Sequence, residues 1–303
     1  MKPRIASYYE SRLHRNDGNP LYVTNSLKRD FPQFEFHHML PDPKLQLSAI
    51  GKFDLHLWID WGEDALVGML PYEPIVCPKP NIYWASDTHL GWDYRVKKAR
   101  EFDHVFVAQK AAVVPMKLAL GHSRVTWLPH AADPAVYNPG ATYSNNPTNW
   151  DVQRIKQWDC GFVGHVNDQA RLDMLDRMFV DFPNSRYGNL STGRVFEKAA
   201  DLYTKSRVVW NSAIKDDVNM RVFEVLATRT ALVTQMVPDL FELFPHDALM
   251  AWADLDTASF CTRRLLRDDD LRMTMAQKGY DAVLAQHTIR HRVETMLTVA
   301  GVL

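Results

Sequence analysis

An α/β fold of two parallel, doubly wound domains is what this sequence predicts, on three observations. Short β-type runs alternate with helical stretches along most of the chain. A stretch rich in Pro and Asn interrupts the alternation near the middle. The 303 residues also amount to about two domains of ~150 residues each. Strands separated by helices favour parallel pairing, because each crossover helix carries the chain back to the same edge of the sheet. The boundaries that follow are an N-terminal domain over 1–133, a linker over 134–157, a second domain over 158–285 and a C-terminal helix over 286–303.

In the first half, Arg4–Tyr9 (RIASYY) reads as a strand, followed by the loop RNDGNP and a helix from Pro20 to Asp30. Gly18 and Asn19-Pro20 are entry signals for that helix. Gln33–Met39, Phe53–Asp60, Ile82–Ser86, His104–Ala108 and Arg124–Leu128 are further strands, with helices over Trp92–Phe102 and Gln109–Leu120. The segment PAVYNPGATYSNNPTN, from Pro134 to Asn149, has neither helical nor strand period and reads as a linker. Alternation then resumes. Strands are expected over Trp158–Val163, Ser185–Tyr187, Arg207–Trp210, Ala231–Thr234 and Ala248–Trp252. Helices are expected over Asp168–Phe182 and Arg194–Lys205, from Asn219 and over Pro238–Phe244. The last fifty residues read as three helices.

Charge and composition narrow the function. A formal net charge of −1 gives no global attraction for nucleic acid or anionic membrane. No window approaches the ~20 uninterrupted apolar residues of a membrane helix, and the start MKPRIASYYESRLHR is not a secretory signal. Cys77, Cys160 and Cys261 are far apart and lack metal-ligand spacing, so a reduced, cytoplasmic location is expected. No His/Cys/Asp cluster with metal spacing occurs, and neither phosphate-binding glycine fingerprint is present. Asp254-Leu255-Asp256 and Asp268-Asp269-Asp270 read as helix starts.

The densest chemistry lies in NSAIKDDVNMRVFE, Asn211 to Glu224, at the start of a helix that feeds the strand beginning at Ala231. A helix start at the carboxyl end of a parallel sheet is where nucleotides bind. Arg221 has the forked geometry to take two phosphate oxygens, and Glu224, one turn on, can accept ribose hydroxyls. Asp216 and Asp217 either contact ligand hydroxyls or complement the helix dipole. Upstream, CGFVGHVNDQAR places Gly164 at a strand–helix turn, where it permits close backbone approach, with Arg171 as a counter-charge. Tyr187-Gly188 is a second turn, either ordinary or ligand-facing. In the first half, Ser86-Asp87-Thr88-His89 follows a strand on a carboxyl edge. Asp87 and His89 are candidates for a general base or for orienting a substrate, although Asp87 or Thr88 could equally cap the next helix. Asp60, ahead of Trp61-Gly62-Glu63-Asp64, is a second acidic edge, and His130 sits at the approach to the linker.

Asp216 and Glu224 are separated by seven residues, and Asn219, Arg221, Phe223, Glu224, Leu226 and Ala227 follow a pattern N-x-R-x-F-E-x-L-A. In these residues the chain resembles GT-B nucleotide-sugar glycosyltransferases, most nearly the CgeB-like branch. Leu128-Pro129 with Asp133-Pro134 and Tyr137, Tyr187-Gly188, and His287-Thr288 with Arg292 extend the likeness from about residue 80 to the end. The resemblance implies two Rossmann-like domains facing a cleft. It also implies transfer of a sugar from a nucleotide diphosphate, UDP above all, without a metal or other cofactor and with retention favoured over inversion. The donor contacts it implies are Gly164, Arg171, Tyr187, Asn211, Asn219, Arg221 and Glu224, with Asp87, His89 and Asp216 nearest the chemistry. The acceptor stays open among glycan, protein, small molecule and hydroxylated nucleobase in DNA, the last not indicated by charge. The alternative reading is a non-catalytic module that binds a nucleotide or nucleotide sugar for regulation. Two departures stand out: Asp216 stands where retaining members carry Glu, and where the family has Leu-Ala-x-Gly-Gly, this chain has Thr228-Arg229-Thr230 after Ala227.

Overall fold

The computed structural model of the chain describes residues 2–8, 18–39, 53–60, 78–89, 91–140, 155–166, 168–189, 196–213 and 215–303. These fall into two compact units. The first runs to His130 and adds Ile289–Leu303, and the second is Ala131–Thr288. Trp61 to Asp64, Cys77 and most of the expected linker lie outside the described residues.

The first unit opens with β1 (Arg4–Tyr8), α1 (Asn19–Asp30), β2 (Glu35–Met39), β3 (Leu55–Ile59) and β4 (Asn81–Ala85). It continues with α2 (Trp92–Ala99), β5 (His104–Val107), a single 3₁₀ turn leading into α3 (Val113–Leu120), and β6 (Val125–Trp127). Its six strands are parallel and ordered β2-β1-β3-β4-β5-β6. Every residue of β3 and β4 is buried, as expected of parallel strands covered on both faces. Tyr8, Trp58, Tyr83, Phe102 and Val105 form much of one core face. The unit's last helix, Ile289–Val299, packs against α1.

The second unit contains β7 (Trp158–Gly164), α4 (Gln169–Asp181), β8 (Ser185–Asn189), α5 (Phe196–Lys205), β9 (Ser206–Asn211) and α6 (Met220–Ala227). Then come β10 (Ala231–Gln235), α7 (Leu240–Leu243), β11 (Met250–Trp252), α8 (Leu255–Arg267) and α9 (Asp269–Gln286). The helix Ile289–Val299 is α10. The five strands are again parallel, ordered β11-β10-β9-β7-β8. Phe162, Met174, Met178, Trp210 and Val233 belong to its core. Asp254 and Asp268 each accept a backbone N–H three residues on, from Thr257 and Leu271. Both acidic runs therefore act as helix caps.

Every expected strand is present, with ends shifted by no more than two residues. In each sheet the chain reverses its direction of growth once, between β1 and β3 and between β7 and β9. In open α/β sheets the crevice at the carboxyl ends of such neighbouring strands is where ligands collect. Among the described residues no helix is long and apolar enough to cross a membrane.

Candidate functional site

At the reversal of the second sheet, β7 ends on Gly164 and β9 on Asn211. After Gly164 the chain turns into α4, whose N-cap Asp168 accepts the Arg171 N–H at 2.8 Å. The Arg171 side chain, only 3% exposed, folds back across both turns. Its Nη1 donates to His165 O at 2.8 Å and its Nη2 to Ser212 O at 3.4 Å. Burial and the neighbouring Arg221 charge lower the Arg171 guanidinium from its usual range, with Asp168 and Asp217 opposing.

Arg221 stands on the first turn of α6. Its Nη1 donates to Asn211 Oδ1 at 2.7 Å, and Asn211 Nδ2 is tied to Thr234 Oγ1 at 2.9 Å. The guanidinium carbon lies 4.7 Å from the Phe162 ring centroid, a cation–π contact. A Cβ on residue 164 would collide with Arg221 Nη2, so the glycine makes room for the guanidinium itself. Arg221 is 8% exposed, yet its Nε has no hydrogen-bond partner. Nor does Asn219 Oδ1, whose Nδ2 donates to Ser212 O at 3.1 Å. Asn219 is the N-cap of α6 without a side-chain capping bond.

Glu224 is buried one turn further on. It shares its surroundings with Tyr203, whose phenol is pushed up by burial and by the Glu224 charge, against the pull of Arg221. The Tyr203 ring stacks on Tyr137 at 6.3 Å. Asp217 is buried, whereas Asp216 is exposed next to Lys215, which has φ 55°. Asn211, Asn219, Arg221, Arg171 and Gly164 thus form one network, and Glu224 adjoins it through Tyr203 and Arg221. Tyr187 stands outside it: 44% exposed on the edge strand β8, its ring meets Phe179 of α4 edge-on at 6.3 Å. Beyond α6, Arg229 adopts φ 54°. The backbone there has the left-handed shape that a glycine takes freely and an arginine adopts only rarely.

In the first unit, Asp60 follows β3 and is fully enclosed. Its Oδ2 accepts Arg95 Nε at 2.7 Å and the Ser86 N–H at 3.2 Å. That makes Asp60 a support for the β4 loop. Gln109 closes the same loop, accepting from Thr88 N and Oγ1 at 3.0 and 2.6 Å and donating to Ser86 O at 2.8 Å. Neither Asp87 nor Thr88 caps α2, whose N-cap is Gly91. Asp87 and His89 are half-buried, and both act on His130, whose imidazole burial lowers to about 4. His130 is therefore a neutral neighbour of this loop. Its ring nitrogen Nδ1 lies 3.2 Å from Asn19 Nδ2. Sequence reasoning passed over Asn19 and Tyr203. The first looked like part of a helix entry, and the second like an ordinary aromatic in a helix.

Among the described residues no group of three His, Cys, Asp or Glu side chains is placed to hold a metal ion. Cys160 and Cys261 are free thiols.

Residues 164–298 match the model of a family described as glycosyl transferase-like. No curated protein gives a match. Among solved structures, HepE from Anabaena, in complex with UDP and glucose, aligns over the whole of both chains with TM-score 0.65 and 12% identity. Sucrose-phosphate synthase from Thermosynechococcus elongatus aligns over 98% of each chain with TM-score 0.61 and 11% identity. A UDP-forming α,α-trehalose-phosphate synthase from Burkholderia xenovorans aligns over 86% of this chain and 76% of its own, with TM-score 0.59 and 11% identity. At such identities the likeness carries the fold. The chain has the GT-B architecture of two parallel α/β units, and its second half matches a glycosyl transferase-like domain.

Proposed function

We propose that this chain is a glycosyltransferase, of the CgeB-like kind, that takes a sugar from a nucleotide diphosphate, UDP in the first instance. The observation that carries the reading is the pair Arg171 and Arg221. Two buried guanidiniums sit close together, and the Arg221 charge helps to lower Arg171 from its usual range. Arg221 has no carboxylate within ion-pair distance among the described residues. Buried like charges are costly unless an opposite charge joins them. A diphosphate bridging the two, at the reversal of the sheet, supplies it.

The rest of the network suits the remaining parts of such a donor. Glu224 accepts the ribose hydroxyls, the start of α6 serves the phosphates, Asn219 Oδ1 is open to a hydroxyl donor, and Asp216 and Asp217 flank the sugar. UDP is preferred because two of the structural neighbours are described with it. In the transfer, the bond from the anomeric carbon to the β-phosphate oxygen breaks, one to the acceptor hydroxyl oxygen forms, and the hydroxyl proton passes to the departing diphosphate. The negative charge that accumulates on the departing diphosphate is met by Arg171 and Arg221 in place of a metal ion. The resemblance to retaining members, which carry Glu where this chain has Asp216, favours retention, with Asp87 and His89 orienting the acceptor hydroxyl. If attack instead comes from the opposite face, Asp87 takes the proton and configuration inverts.

Calorimetry with UDP and UMP, followed by a nucleotide-sugar panel scored for hydrolysis and transfer, tests the reading. UDP should bind at least ten-fold more tightly than UMP, activity should persist in EDTA, and proton NMR of the product should report the anomer. Equal affinity for UDP and UMP, or no turnover of any nucleotide sugar, would overturn it.

A further inference from the structure

Asn19 opens α1 directly at the carboxyl end of β1, beside the reversal of the first sheet. It is 3% exposed. Its Nδ2 faces His130 Nδ1 at 3.2 Å, and its Oδ1 has no hydrogen-bond partner. Buried amide oxygens left without a donor are rare in native proteins, and each calls for an explanation. Here the surroundings hold the amide in place. A neutral imidazole offers one acceptor nitrogen, and Nδ1 in that role takes the Asn19 N–H and leaves Oδ1 enclosed without a donor. His130 is itself fixed from behind: Arg292 of α10 donates to Pro129 O at 2.7 Å and to His130 O at 2.9 Å. The ring lies against the Ser86 backbone and 6.4 Å from the Trp84 ring centroid.

The chemistry of the missing partner can be narrowed. α1 has no side-chain cap, its N-cap being Gly18 at φ 99°, and Pro20 has no N–H. Among the described residues no side chain caps the first turn, which carries the positive end of a twelve-residue helix. An ammonium group would meet that positive end, and an anion would meet the Oδ1 lone pairs. A neutral hydroxyl satisfies both, donating to Oδ1 and accepting from a backbone N–H.

We propose that Asn19, held by His130, is a recognition point for a sugar hydroxyl in the first unit, next to the Asp87 loop. This rests on the glycosyltransferase reading for its role in turnover, although not for the binding itself. The hydroxyl belongs either to the acceptor or to the transferred sugar, and kinetics separate the two.

Two measurements on the full chain test it. Saturation-transfer NMR with millimolar glucose and N-acetylglucosamine should show contact in the wild type that Asn19→Ala abolishes. Asn19→Ser, which keeps a hydroxyl and suits a helix start, should retain part of it and serves if the alanine variant misfolds. In turnover, Asn19→Ala should lower kcat/KM for transfer about 10- to 100-fold while UDP affinity stays unchanged, since a site built around a substrate hydroxyl is strongly penalised when the bond is lost. A rise confined to the acceptor KM assigns the acceptor hydroxyl; a matching loss in donor hydrolysis without acceptor assigns the transferred sugar. Sugar contacts that persist equally in Asn19→Ala, or are absent from the wild type, mean that Oδ1 holds only water and overturn the proposal. Sugar binding that depends on Asn19 in a protein with no transferase activity would uphold the subsite and refute only the transferase reading.

Discussion

Gly164 and Arg221 constrain one another, and the donor side of the site follows from that pairing. Arg221 lies where a Cβ of residue 164 would be, over Phe162 and against Asn211. Glu224 offers the cleanest probe beside it. Glu224→Ala should cost about 1.5–3 kcal/mol of UDP affinity, the worth of a charged hydrogen bond, with the melting temperature little changed. Undiminished binding by calorimetry would remove Glu224 from the donor site. On the other unit, Asp87 caps no helix, so Asp87→Asn should spare stability and nucleotide affinity. Its cost should fall on the chemistry, about 10²–10⁴-fold in single-turnover transfer at saturating donor. A wild-type rate would shift attention to His89. The arginines, Asn219 and Glu224 were visible in sequence because they crowd into one short segment. Asp60 with Arg95, 35 positions apart, and Asn19 with His130, 111 apart, meet only once the strands are ordered.

Elements were legible where local chemistry decides them. The strand–helix alternation and the Asp254 and Asp268 caps required only neighbours in sequence. Strand order was not legible. β3 and β4 are buried at every position, and strands covered on both faces carry no alternation to mark which strand lies beside them. The same burial absorbs the tryptophans: Trp58, Trp84 and Trp210 are core, not platforms for sugars. Between helices, Gly279 of α9 allows a close crossing over α6. A Cβ there would meet Leu226 Cδ2 at 2.5 Å and Ala248 O at 3.0 Å. Alanine gains about 1 kcal/mol in helix propensity, but overpacking against a backbone oxygen costs about 1–3 kcal/mol. Gly279→Ala should therefore lower the melting temperature by a few degrees. A rise would mean that the crossing has slack.

At the scale of the molecule, buried histidines set the acid limit. His56 and His130 are both lowered by burial to about 4, against ~6.5 in the unfolded chain. Between these values the unfolded state binds more protons, so stability rises with pH. The contribution is present in full above about pH 6.5 and is lost as pH falls toward 4, on the order of 2–4 kcal/mol for each ring. Thermal melts should decline steadily from pH 7 to pH 5, before most carboxylates titrate. A flat profile would show that one or both rings are hydrated.

The placement of α10 has a further consequence, for the order in which the chain acquires its structure. α10 covers α1, and its Arg292 holds the carbonyls of Pro129 and His130, yet it is translated after every residue of the second unit. On the ribosome, residues 1–130 must wait, their α1 face bare, until residues 289–299 emerge. At about 5–20 residues per second that is a delay on the order of ten seconds or more. The second unit has its whole sequence by then and can close first. Protease probing of a released chain that stops at residue 288 should find residues 131–288 protected and residues 1–130 still open. Protection of both would show that the first unit stands without its final helix.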